Sequence, residues 1–204
     1  TNEYDDYKTQ MTGGTIRFGL PITQALTAQV AYHIAQEKYE YTQWCDKNEN
    51  GIIDDLECGR DDSIPRFSRV SKYLENAIET QSPWLKSSVS GTLLYNTIDD
   101  VKNPRNGIFA NLTVEAAGLG GDAQWVKVTG RGTYYQQLSS EMDLVGVLSV
   151  GGGHISSFGK DLRLFDYFQS NERMIRGFRH NGIGPYDDGS GITRENRHLG
   201  GSTY

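Results

Sequence analysis

The chain lacks most of the features that would settle its class at once. No run in its 204 residues approaches the ~18–20 consecutive apolar residues of a membrane helix, which excludes a helical span within it. A basic face is missing too: the net charge is −6, so a nucleic-acid partner is not expected. His33, His154, His180 and His198 show no metal-ligand spacing, and there is no Gly-x-Ser-x-Gly elbow. The stretch GGGHISSFGKD fails as a phosphate loop, because it has one residue too many before Gly159 and Asp161 stands where Ser or Thr must be. Enzyme chemistry is therefore not expected. No signal peptide or lipidation motif opens the chain, and Thr1 reads as a cut end.

Cysteine occurs only as Cys45 and Cys58, an even count that in an exported protein reads as one disulfide. Most of the excess negative charge sits around them: from Cys45 to Asp62, seven acids face only Lys47 and Arg60, a net of −5. Asp46, Asn48, Asn50, Gly51, Asp54 and Glu57 also match the twelve-residue calcium loop of an EF-hand, with oxygen ligands at the expected positions and glycine at the sharp turn. The flanks disagree. An EF-hand needs a helix on each side, whereas ALTAQVAYHIAQEKYEY alternates with the period of a strand. A bridge drawing the two cysteines to within about 7 Å between alpha carbons also competes with full ligation by Glu57. Two readings stay open: a calcium site at residues 46–57, or an acidic surface loop pinned by a disulfide.

Alternation continues along the chain. Ile16, Phe18 and Leu20 oppose Thr15 and Arg17; Val30, Tyr32 and Ile34 oppose Gln29, His33 and Glu37. Leu85, Val89, Leu93 and Tyr95 oppose Lys86, Ser88, Ser90 and Thr92; Ile108, Leu112 and Val114 oppose Asn111, Thr113 and Glu115. Val126, Val128 and Tyr134 oppose Lys127, Thr129 and Arg131. Charges keep to the polar parity. Within the long connection 42–83, Phe67, Val70, Tyr73, Leu74 and Ile78 approach helical spacing, so a short helix or plain loop is expected there. Alternation leaves open which face is inside. Strand length and loop asymmetry point to a membrane barrel, with short turns at 20–24, 99–107 and 139–142 and long loops at 42–83 and 156–197. Twelve tyrosines and twenty-four glycines fit that class as well as soluble β-proteins. The expected fold is all-β, an antiparallel transmembrane β-barrel of the outer-membrane type, represented by about seven strands.

Two strings carry a resemblance. YNTIDDVKNPRNGIFANLTVEAAGLGGDAQWVKV needs on its own only tight-turn chemistry around Asp99 to Gly107, but as a whole it resembles the barrel of the BamA family of outer-membrane insertases. SNERMIRGFRHNGIGP resembles the superfamily's hallmark, an Arg-Gly-Phe or Arg-Gly-Tyr motif in the sixth extracellular loop. Here it is Ile175, Arg176, Gly177 and Phe178, followed by Asn181, Gly182, Ile183, Gly184 and Pro185. RHLGGSTY looks like the strand after this loop, and the resemblance runs from about Thr12 to Tyr204.

The resemblance implies a barrel of about sixteen strands behind periplasmic domains, of which residues 1–204 are a central portion. It implies insertion of unfolded outer-membrane proteins into the lipid bilayer, accessory outer-membrane lipoproteins as partners, and no cofactor. In relatives the loop motif folds back into the lumen and acidic residues of the inner wall hold its arginine. Arg176 matches that position, and a guanidinium suits it because its planar fork binds carboxylate bidentately. The family's acidic partners lie in strands beyond Tyr204, which leaves Glu115 or Glu37 as candidate partners. A two-partner secretion transporter of the same superfamily is the alternative, and a calcium-binding β-protein is the alternative from another class.

Overall fold

The computed structural model describes residues 2–3, 7–41, 77–78, 82–169, 183–186 and 199–204. Seven strands form one sheet in chain order: β1 (Asn2–Glu3), β2 (Tyr7–Pro21), β3 (Leu26–Tyr41), β4 (Trp84–Asn96), β5 (Gly107–Ala117), β6 (Trp125–Ser139) and β7 (Leu144–Ser157). β1 is a two-residue strand on β2, pairing Asn2 with Thr9 and Glu3 with Lys8. The other six are long, and even β5, with 11 residues, reaches about 35 Å at the usual rise. That exceeds the apolar band of an outer-membrane barrel, about 25 Å, and leaves room for tilt.

Register locks the alternation of β4, β5, β6 and β7 to one another. Leu93, Leu112 and Gly130 sit opposite one another across β4, β5 and β6, while Thr92, Thr113 and Thr129 form the adjacent row. The Thr92 and Thr113 hydroxyls are 3.0 Å apart. Ile108, Tyr134 and Leu148 share a row across β5, β6 and β7. Because directly opposed residues point to the same side, one face of these ladders is apolar and the other polar.

Burial then says which face is covered, and it is the polar one. Val30, Ile34, Leu93, Leu112 and Val114 are exposed, whereas Ala31, Ala35, Glu37 and Ser88 are buried. Phe18 on β2 and Val150 on β7 are 73% and 67% exposed. A water-soluble barrel does the reverse and hides its apolar parity. A sheet that presents apolar side chains outward and keeps polar ones within is solvated by hydrocarbon, as in membrane barrels.

Tight turns follow from identifiable residues. Between β4 and β5, the Asp99 carboxylate accepts the backbone N–H groups of Arg105 and Asn106 at 3.0 and 3.2 Å. Gly107 closes this turn with φ +121°, where a Cβ would collide with the carbonyl oxygen of Thr97. Arg105 Nη2 also meets Asp143 Oδ1 at 2.9 Å, joining two turns.

Of the expected strand RHLGGSTY, residues 199–204 are described, and they form isolated bridges. Gly201 bridges Phe168 and Thr203 bridges His154, with Gly153 and Tyr204 exchanging backbone hydrogen bonds of 3.2 and 3.1 Å. Gly200 at φ +76° interrupts regular extension. Conversely, β2 starts at Tyr7, well ahead of the alternation read at Thr15 to Leu20. Of the short helix expected at 67–78, only Ala77 and Ile78 are described; both are helical and buried.

The chain divides into two compact units. One comprises Thr1–Gly13, Ala35–Leu85 and Asp161–Ser202; among its described residues Ala35, Glu37, Ala77, Ile78, Trp84, Arg163 and Asp166 are buried. The other comprises Gly14–Ile34, Lys86–Lys160 and Thr203–Tyr204, with Ala31, Ser87, Ser88, Ala117, Ala123, Trp125 and Ile155 buried.

Candidate functional site

The first unit is unusual in burying an ion cluster. β3 ends with Glu37 and Tyr39 on its polar parity, and β4 begins with Trp84 on its own polar parity. The segment that follows β7, residues 161–169, lays Arg163 and Phe165 on these three side chains. Arg163 is 1% exposed, against 8% for Glu37 and 7% for Asp166. Its Nη2 donates to Glu37 Oε2 at 2.8 Å and to Asp166 Oδ1 at 3.0 Å, while Nε donates to Asp166 Oδ2 at 3.1 Å. The fork therefore grips Asp166 with two nitrogens and reaches Glu37 with one.

Local sequence prepares this grip. The Asp166 N–H donates to the Arg163 carbonyl at 3.0 Å, and the Arg163 N–H donates to Asp166 Oδ2 at 3.2 Å, so the turn itself orients the two side chains toward each other. Aromatic surfaces complete the pocket. The Trp84 ring lies 4.5 Å from the guanidinium carbon and the Tyr39 ring 5.9 Å, within cation–π range. Tyr39 stacks on Phe165 with centroids 3.9 Å apart, and its hydroxyl donates to Glu37 Oε2 at 3.0 Å.

Burial disfavours the charge on Arg163, but hydrogen bonds and attraction from Asp166, and then from Glu37, outweigh it and hold the guanidinium above its ordinary pKa. The cation is permanent at any physiological pH. Nη1 is buried and finds no acceptor among the described residues. Such a cluster neither attacks nor transfers a proton; its chemistry is that of holding two chain segments together.

A second polar row belongs to the other unit. Lys86 Nζ lies 3.0 Å from Glu115 Oε1, which also accepts from Ser88 Oγ at 2.7 Å. Lys86 and Lys127 approach the Trp125 ring at 5.0 and 5.9 Å. Thus the two carboxylates expected to serve Arg176 have other described partners: Arg163 for Glu37 and Lys86 for Glu115. Ile175, Arg176, Gly177 and Phe178 lie outside the described residues, as do Cys45, Cys58 and the calcium-loop residues Asp46, Asn48, Asn50, Asp54 and Glu57. Among the described residues, no group of three or more His, Cys, Asp or Glu is placed to hold a metal ion.

Arg163 and Asp166 went unmarked in the sequence reading. Their signal is faint: an arginine and an aspartate three apart within LRLFDYF, a stretch otherwise apolar or aromatic. Charges at that spacing inside such a run have to be paired when buried.

Comparison with known proteins places this geometry. The Omp85 superfamily domain matches residues 1–204, the whole chain. In structure the chain is similar to BamA from Haemophilus ducreyi, crystallised without its POTRA domains 1–3, with a TM-score of 0.70 and 18% identity. The match covers 97% of this chain and 36% of the other, so the chain spans about a third of that protein's length. No curated protein matches the sequence. The chain belongs to the Omp85 superfamily and forms part of a β-barrel of that type.

Proposed function

We propose that the protein containing this chain assembles and inserts β-barrel proteins into the bacterial outer membrane. The observation that carries the reading is the conjunction of superfamily membership over the full chain with a sheet whose exposed face is apolar. Its substrates are unfolded outer-membrane proteins, its solvent is the lipid bilayer, and accessory outer-membrane lipoproteins are its partners. No bond chemistry is required, because insertion is a matter of pairing strand edges and matching apolar surface to lipid. Arg176 in the Arg-Gly-Phe motif is assigned to the working core, in a barrel whose weak lateral seam and thinned surrounding membrane admit the client.

A two-partner secretion transporter of the same superfamily uses the same loop motif to export one cognate protein. The experiment separates the two. Arg176→Glu is placed in the full-length parent gene, the wild type is depleted, and all outer-membrane barrels are quantified beside secreted proteins. A general fall in barrels supports the insertase. Loss of one secreted protein with normal barrels replaces it by the transporter.

A further inference from the structure

The Arg-Gly-Phe motif occupies a long connection after β7, and the described part of that connection already shows how it is rooted. Residues 161–169 and 199–201 are tied by reciprocal Phe168 and Gly201 backbone hydrogen bonds, both 2.9 Å. Only the first of these two stretches carries buried charge, and that charge reaches across 126 positions of sequence to Glu37. We propose that Arg163 is a positioning residue that anchors the root of this loop to the polar face of β3 and β4, separately from the Arg176 motif.

Three features assign the role. Arg163 is the largest fully buried side chain among the described residues, so it is committed to the wall and does not sample water. Asp166 contributes from the loop itself and presets the guanidinium, whereas Glu37 and Trp84 come from the strands; the cation is shared between loop and wall. Phe165 docks beside it on Tyr39, so two side chains of the segment address the same strand end. A guanidinium suits this place because its planar fork bonds one carboxylate bidentately, reaches a second and still stacks on an indole. The anchor rests on geometry alone and holds for an insertase or a transporter.

The test measures hydrogen exchange on the full-length protein in lipid nanodiscs, comparing the peptide spanning 161–169 with peptides of β5 and β6. Arg163→Met is expected to speed exchange at the Asp166 and Phe168 amides at least tenfold while β5 and β6 stay as protected as in the parent. Glu37→Ala, which leaves the internal Arg163–Asp166 pair intact, decides whether the wall matters. Comparable acceleration in Glu37→Ala supports the anchor, and it remains decisive if Arg163→Met fails to fold. Unchanged exchange in Glu37→Ala overturns it, reducing Arg163 to a local turn residue. Arg163→Lys, which keeps charge but loses the fork, should fall between parent and Arg163→Met; full protection in that variant also overturns the proposal.

Discussion

Exchanging adjacent residues of β5 for arginine tests which face meets lipid. Leu112 is the sixth of the eleven residues of β5, lies opposite Leu93 and Gly130, and is 45% exposed on the apolar face. Thr113, its neighbour, faces the other way and shares a hydroxyl contact of 3.0 Å with Thr92. An arginine on the lipid face of a membrane barrel costs about 2–4 kcal/mol at the midplane. On the polar face the loss is one hydroxyl hydrogen bond, about 0.5–1.5 kcal/mol. Leu112→Arg should therefore be less stable than Thr113→Arg by about 1–3 kcal/mol, roughly fivefold to 150-fold in the unfolding equilibrium. Depth supplies an internal control. Ile108, second in the same strand and on the same face, lies toward the interface, where arginine costs only about 0–1 kcal/mol. The assay is denaturant titration of the full-length protein in lipid vesicles, followed by the gel mobility of unheated samples. If Thr113→Arg proves as costly as Leu112→Arg, or costlier, the apolar face does not contact hydrocarbon and the membrane orientation is wrong.

Two further outcomes concern the turn between β4 and β5. Hydrogen bonds from the N–H groups of Arg105 and Asn106 hold the Asp99 carboxyl below its ordinary value; the stabilisation is present above the usual carboxylate pKa of about 3.9 and is lost as pH falls through the lower folded value. The Arg105 and Asn106 amides should thus lose protection under acid conditions in the parent but not in Asp99→Asn, as read by pH-dependent hydrogen exchange; equal acid sensitivity in both would remove Asp99 from the account. Gly107→Ala should destabilise by about 1–3 kcal/mol, since the residue sits at φ +121° against Thr97, whereas Gly91→Ala, with open space around it, should be nearly neutral in the same denaturant titration.

The strands were legible in the sequence because each is amphipathic with period two and because the pattern recurs without phase breaks in Ile108 to Ala116 and Val126 to Tyr134. Periodicity reports that two faces differ, and it is blind to which one is covered. That took the exposure of residues such as Phe18 and Leu112 set against the burial of Glu37 and Ser88. The turn residues Asp99 and Gly107 were readable for a local reason, since side-chain capping and positive φ depend on a few neighbouring atoms. The ion cluster was not readable, because its members come from β3, the start of β4 and the segment after β7, and no local rule links Glu37 to Arg163. Charge matching alone named Glu37 as a candidate for Arg176, which lies outside the described residues, and gave no hint of the arginine thirteen residues earlier that bonds it.

The bridge between Phe168 and Gly201 has an evolutionary consequence. Phe168 and Gly201 meet at one hydrogen-bonded point, so thirty-two residues of sequence are closed into an excursion there. Doubling such an excursion adds only about 0.6 kcal/mol of closure entropy. Evolution can therefore change the length of the excursion at little cost in closure entropy, provided the Arg-Gly-Phe motif assigned above to the working core is kept.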